Sequence, residues 1–326
     1  MNWLKRLANI NVLKMSGFFV LAVVGFSFSN NASAFCRMNT GGASLVVNNI
    51  SQPAITVQRD TPIGSQIWKA STTVQGVFES CDSSAGYIYY ELSMFSAASG
   101  IANVFNTNVP GVGVQVVQTS NGLYYLPNAY QRPFSSGAAT FGQRDIIFIK
   151  TGPITSGTIK SGLLARNYGD DGITGAQINI TGSSVTQVAC SIRTPNLTFP
   201  IGDILASYFG STVGTIPSGA QNTQNLGLSC DAGANINVML QGTQNPDVST
   251  TSVLALTGQG NADVAKGVGV QLLYNGTPLV LNNRIVLKQS AGGQETFPIT
   301  ARYYQTKTTV STGKANAAAT LDLTYQ

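Results

Sequence analysis

Ala319-Thr320-Leu321-Asp322-Leu323-Thr324-Tyr325-Gln326 closes the sequence, and its alternation sets the terms for everything before it. Leu321, Leu323 and Tyr325 fall on one face, and Thr320, Asp322, Thr324 and Gln326 on the other, the period-2 pattern of a strand with one buried face. A strand in last place has no following segment to pair with its second edge. An apolar edge left open must be covered, or it templates aggregation. The sequence therefore poses the question of what covers it.

Working backwards from this strand, short alternating or β-branched runs recur at 44–47, 54–58, 87–92, 112–117, 145–150, 177–180, 236–240, 268–274 and 285–287. Gly, Ser, Asn and Pro separate them, and Asn275-Gly276 supplies the pair favoured in a type I′ hairpin turn. In the run at 87–92, Ile88, Tyr90 and Leu92 share a face opposite Tyr87, Tyr89 and Glu91. One segment, Ile204–Phe209, has the composition of a helical turn. The fold class expected is all-β, most simply two tandem β-sandwiches.

Residues 1–34 stand apart. Lys5, Arg6 and Lys14 precede an apolar stretch from Phe18 to Phe28, and Ala32-Ser33-Ala34 has the small-x-small form of a cleavage site. The stretch is too short to span a membrane and suits a signal peptide, with Phe35 as the mature N-terminus of an exported chain. Beyond it 15 basic residues face 13 acidic ones, so the remaining charge is nearly balanced. No basic stretch is interleaved with aromatics, which argues against a nucleic-acid partner.

Four cysteines, Cys36, Cys81, Cys190 and Cys230, fall two early and two late. An even count in an exported chain points to disulfides. Of three possible connectivities, Cys36–Cys81 with Cys190–Cys230 keeps each bond within one half. Each such loop contributes about 4 kcal/mol in the chain-entropy account. A Cys₄ metal site would need closely spaced pairs, which are absent from the sequence. The boundary between halves is expected near Gly182-Ser183-Ser184-Val185, giving a signal peptide at 1–34, a first domain at 35–184 and a second at 185–326.

With no histidine in the sequence, Ser-His-Asp and Cys-His catalysis and histidine-ligated metals are excluded. The adjacent Asp170-Asp171 is the one carboxylate pair to consider. Neighbours on a strand point to opposite faces, and Asp171-Gly172 favours a turn, so no enzyme and no cofactor are expected. Gly258-x-Gly260 and Gly313-Lys314 lack the strand–turn–helix context of a phosphate loop.

In the second half, Gly267-Val268-Gly269-Val270-Gln271-Leu272, Asn275-Gly276-Thr277 and Asn282-Asn283 resemble the pilin-domain hairpin of the two-domain tip adhesins of chaperone–usher fimbriae, the type 1 fimbrial adhesin group. Gln224-Asn225-Leu226-Gly227-Leu228-Ser229-Cys230 is similar to that family's second-cysteine strand, and the Tyr325-Gln326 end to its C-terminal signature. The likeness covers residues 187–326 in motif and the first half in layout. It implies a lectin-like receptor-binding domain followed by an immunoglobulin-like pilin domain lacking its last strand. A periplasmic chaperone, and then the next fimbrial subunit, would fill the gap by donor-strand complementation at an outer-membrane usher. Leu321, Leu323, Tyr325 and Gln326 would form the groove wall and chaperone anchor. With Cys36 second in the mature chain, no N-terminal arm remains to donate to a neighbour, which places the chain at the fimbrial tip, outside the cell.

For the receptor, a host glycan or a matrix protein, the resemblance points to the amine of Phe35 and to the loop Arg166-Asn167-Tyr168-Gly169-Asp170-Asp171. Carboxylate and amide groups there suit sugar hydroxyls, and Tyr168 suits a sugar ring. The family's phenylalanine after the acidic pair is Gly172 here, and the same residues also suit a plain hairpin turn. Asp82 beside Cys81 is a further acidic residue in reach. A third aromatic tract, Leu123–Phe134, carries two prolines and is expected at an edge or in a loop, its rings either exposed or in the core. The alternative function is a minor tip or initiator subunit with little receptor binding.

Overall fold

The computed structural model describes residues 35–82 and 86–326, so the proposed signal peptide lies outside the described residues. Almost every regular element is a strand; seven of the nine runs picked out by alternation lie within one, while 44–47 and 54–58 overlap Val46–Ile50 and Ile55–Gln58, which start later. The exception expected at Ile204–Phe209 is a single 3₁₀ turn, Ala206–Tyr208. Asn275 and Gly276 both have positive φ, 49° and 77°, as a type I′ turn requires. They join Val268–Tyr274 to Thr277–Pro278.

Two hydrophobic cores organise the strands. Around the first lies a five-stranded sheet in the order Tyr130–Phe134, Gly86–Leu92, Gly162–Tyr168, Thr174–Ile180, Val46–Ile50. A second sheet runs Gln66–Ser71, Arg144–Lys150, Val112–Gln118, Phe105–Asn106. Between them Ile88, Val114, Phe148 and Ile178 are each 1 % exposed or less. In Gly86–Leu92 the inward residues are Ile88, Tyr90 and Leu92, as alternation predicts. Tyr130–Phe134 holds Pro133 and is the edge strand of its sheet, where proline costs no ladder bond.

The second core is closed on one side by Cys190–Ile192, Gln221–Cys230, Gly293–Gln305, Val268–Tyr274 and Thr277–Pro278. Among the described residues the facing sheet has three strands, Arg284–Gln289, Asn235–Gln241 and Thr320–Tyr325. Each core has its own disulfide, Cys36–Cys81 and Cys190–Cys230.

The stretch expected to be a linker is structured. Ser184–Val188 is a strand that pairs in parallel with Ile55–Gln58 and antiparallel with Gly157–Thr158. Val185 packs in the first core and Val188 in the second. The chain passes from one core to the other within a strand, because β-branched Val185 and Val188 give each core something to bury.

Candidate functional site

Among the described residues, the last strand has a neighbouring strand on one side only. Thr320–Tyr325 runs antiparallel to Asn235–Gln241, with Leu321 opposite Leu240, Leu323 opposite Val238 and Tyr325 opposite Ile236. The Tyr325 backbone N–H and C=O both bond to Asp60, away from that neighbour. Backbone groups alternate in direction along an antiparallel strand, so those of Leu323 and Leu321 point to the same open edge. Their side chains are half-buried and pack on the second core, while Tyr325 is 1 % exposed.

Ahead of this edge lies an open groove of about 790 Å³. Its walls are two extended segments, 197–204 and 310–319, and its floor is sheet residues such as Val270, Leu272, Ala301 and Tyr303. Among the described residues, no backbone hydrogen bond ties 195–204 to the rest of the fold. Unpaired backbone beside an apolar floor is the situation that a further strand would resolve. The groove is lined by residues that precede those singled out from sequence: Ala317, Ala318 and Ala319 line it, whereas Leu321, Leu323 and Tyr325, in the strand that continues from Ala319, and Gln326 after it are not among its lining. Gln326 sits at the far end, where its carbonyl accepts from Asn235 Nδ2 at 3.0 Å and its side-chain oxygen from Arg284.

In the first body, four of the residues expected to bind ligand gather about the short strand Cys36–Arg37. Asp170 Oδ2 accepts from the N–H of Cys36 at 2.9 Å and of Tyr87 at 3.0 Å. Asp171 Oδ2 accepts from Met38 N at 3.0 Å and its Oδ1 from Ile173 N at 2.9 Å. Asp82 N donates to Phe35 O at 3.1 Å, and its carboxylate pairs with Arg37 at 3.2 Å. The Arg37 guanidinium lies 5.4 Å over the Phe35 ring. Asp82 is exposed, whereas Asp170 and Asp171 already clasp backbone N–H groups.

Asn167 and Tyr168 part company, as successive residues on a strand must. Asn167 is fully buried, donates to Tyr89 O at 2.9 Å and accepts from the Tyr125 hydroxyl at 2.5 Å. It works inside the sheet. Burial pushes the Tyr125 hydroxyl up to about 12, which keeps it a neutral donor to Asn167 while it accepts from Arg144 Nε at 2.8 Å. Tyr168 faces outward, stacked on Tyr89 at 4.7 Å between ring centroids, with the Arg166 guanidinium 4.6 Å from its ring. Of the tract 123–134, Tyr125 is in the core and Tyr130 is exposed.

Glu79 escapes sequence reading altogether. It is fully buried beneath the Asp170–Asp171 turn and accepts from Gly169 N at 3.1 Å through Oε1, while Oε2 has no partner among the described residues. Burial, reinforced by the charge of Asp171, raises its carboxyl from 4.5 to about 8. Its inward position comes from a β-bulge: Ala139 pairs with Glu79 and Thr140 with Val77, so Phe78 is the extra residue and both 78 and 79 turn inward. Gly169 and Gly175 make room, since a Cβ on either would meet a Glu79 carboxylate oxygen, at 2.8 and 2.5 Å.

Residues 178–326 match the fimbrial protein family, and residues 49–186 match the MrkD-like receptor binding domain. A fimbria adhesin protein from Klebsiella pneumoniae is 27% identical over 292 residues, which is 85% of this chain and 90% of that one. Among solved structures, the receptor binding domain of the plasmid-born adhesin MrkD1P of K. pneumoniae is 21% identical with a TM-score of 0.40, over 49% of this chain and 99% of that one. The CupB6 tip adhesin from Pseudomonas aeruginosa is 13% identical with a TM-score of 0.37, over 85% and 92%.

Proposed function

We propose a division of labour for this chain, which belongs to the two-domain tip adhesins of chaperone–usher fimbriae: residues 35–184 bind a receptor, and residues 185–326 accept a strand from another protein. The observation that carries the second half is the groove of about 790 Å³ beside a strand whose outer edge is open at Leu321 and Leu323. Its occupant is an extended segment with apolar residues at alternate positions, which bonds to the open backbone and buries its side chains on the floor. A periplasmic chaperone supplies that segment first and the next fimbrial subunit later, with assembly at the outer-membrane usher.

Cys36 is committed to a disulfide and to a two-residue strand paired with Gly76–Cys81. Among the described residues none forms an arm free to fill a neighbour's groove. With residues 1–34 read as a cleaved signal peptide, that leaves no donor arm and supports a position at the fimbrial tip.

Receptor recognition centres on the turn at 170–171, Asp82 and Phe35, where carboxylates cluster beside an aromatic ring. A host glycan or a matrix protein is the ligand class. Binding of the first domain to a glycan array and to immobilised matrix proteins tests this half. Failure on every surface would leave a minor tip or initiator subunit. Co-expression with the fimbrial chaperone tests the other half: deleting residues 319–326 should abolish recovery of the complex, and an undiminished complex would overturn strand acceptance.

A further inference from the structure

Gln58, Arg59 and Asp60 of the first body reach across to the second core. Gln58 Nε2 donates to Gly233 O at 2.8 Å, and its Oε1 accepts from Asn235 N at 2.9 Å. Asp60 N donates to Tyr325 O at 3.0 Å, and Tyr325 N donates to Asp60 Oδ2 at 2.9 Å. The Arg59 guanidinium lies 4.5 Å over the Tyr325 ring and pairs with Asp60 at 2.8 Å. Two further bonds hold the turn in place: Lys150 Nζ donates to Arg59 O at 2.5 Å, and Arg59 N donates to Val188 O at 3.0 Å. Asp60 alone thus gives Tyr325 one donor and one acceptor, the two bonds that a neighbouring strand would give.

We propose that the Arg59–Asp60 turn is a built-in edge cap: it completes the last strand at Tyr325 and competes with any incoming strand long enough to reach that residue. The inference rests on the strand-acceptor reading of the groove. An incoming strand that stops opposite Leu323 finds open N–H and C=O groups there and leaves Asp60 seated. A strand two residues longer, at about 3.3 Å per residue, needs the groups that Asp60 already holds. Displacing Asp60 also removes the acceptor of Tyr325 N and draws Arg59 off the ring. Filling the groove to its end and seating residues 59–60 on Tyr325 are therefore alternatives. The length of the incoming strand decides whether the two bodies stay joined at this point.

Two synthetic strands of the same apolar pattern separate these states, one ending opposite Leu323 and one running past Tyr325. Each competes with a labelled short strand for the full chain, and hydrogen exchange follows the Asp60 and Tyr325 amides. In the unaltered chain the long strand should expose Asp60 N–H and the short one should not. Asp60→Ala should tighten the long strand about 5–10-fold, the scale of one charge-assisted hydrogen bond, and leave the short strand unchanged. Arg59→Ala, which keeps both bonds between Asp60 and Tyr325 but loses the ring contact and the Arg59–Asp60 ion pair, should act in the same direction and more weakly; it also carries the test if Asp60→Ala does not fold. Short-strand binding with no difference between strands in either variant would overturn the cap. Binding of neither strand would overturn the strand-acceptor reading itself.

Discussion

Glu79 is a carboxyl that the folded chain keeps protonated well above its ordinary range, up to about 8. Its unfolded counterpart releases the proton near 4.5, so between these values the native state binds the extra proton. Stability therefore falls as pH rises through that interval and levels off above about 8. Glu79→Gln keeps the shape without the titration and should flatten the profile, raising the melting temperature at pH 8 by a few degrees, on the order of 5 °C. Thermal unfolding of the first domain at pH 5, 7 and 9 checks this, and equal slopes in both proteins would refute it. Asp170 and Asp82 make a contrasting pair. Asp170→Ala strips acceptors from two backbone N–H groups and should cost about 1–3 kcal/mol in denaturant unfolding. Exposed Asp82→Ala should leave stability within about 0.5 kcal/mol, so any loss of receptor binding there reports recognition directly. Loss of binding only where stability also falls would remove this face from the receptor site. The acidic turn was legible in the sequence because Asp-Asp-Gly is local chemistry. Glu79 was hidden, since a bulge inverts the strand's alternation at that point. Asn167 looked like a surface amide because its partner Tyr125 lies 42 residues away.

At the scale of elements, the last strand and its groove behave as one unit. Leu321 and Leu323 have a side-chain role, packing on the core, and a backbone role, presenting an open edge. The sequence shows the first through period-2 alternation, which any half-buried strand displays. It does not show the second, because no residue type marks an unpaired backbone. The unpaired wall at 197–204 was equally silent: Pro200 and Gly202 mark a break in regular structure but not what fills it. Expressed without chaperone, residues 185–326 should aggregate or be degraded. Recovery of a stable monomer by size-exclusion chromatography would show that the sheet is complete as it stands.

For the whole molecule, the two disulfides and the two cores were anticipated by the early and late pairs of cysteines. The joint was not. Val185 and Val188 are unremarkable in a β-rich sequence, and only their partners, Ile55 to Gln58, reveal a shared strand. A first-domain fragment ending at Ser184 removes the parallel neighbour of Ile55–Gln58 and uncovers Ile55 and Val57, which are 5 % and 3 % exposed. It should melt several degrees below a fragment ending at Val188, a difference readable by circular dichroism; equal melting would mean that this strand adds nothing to the first body.

The same shared strand has a mechanical consequence. A tip held by its receptor and tugged by the fibre behind it transmits that load through Ser184–Val188. Pulled along its length, the strand slides against its parallel neighbour, and the rungs from Val185–Ile55 to Val188–Gln58 bear the tension together rather than opening one after another. The joint resists as a lap seam does, where a flexible tether would simply pay out.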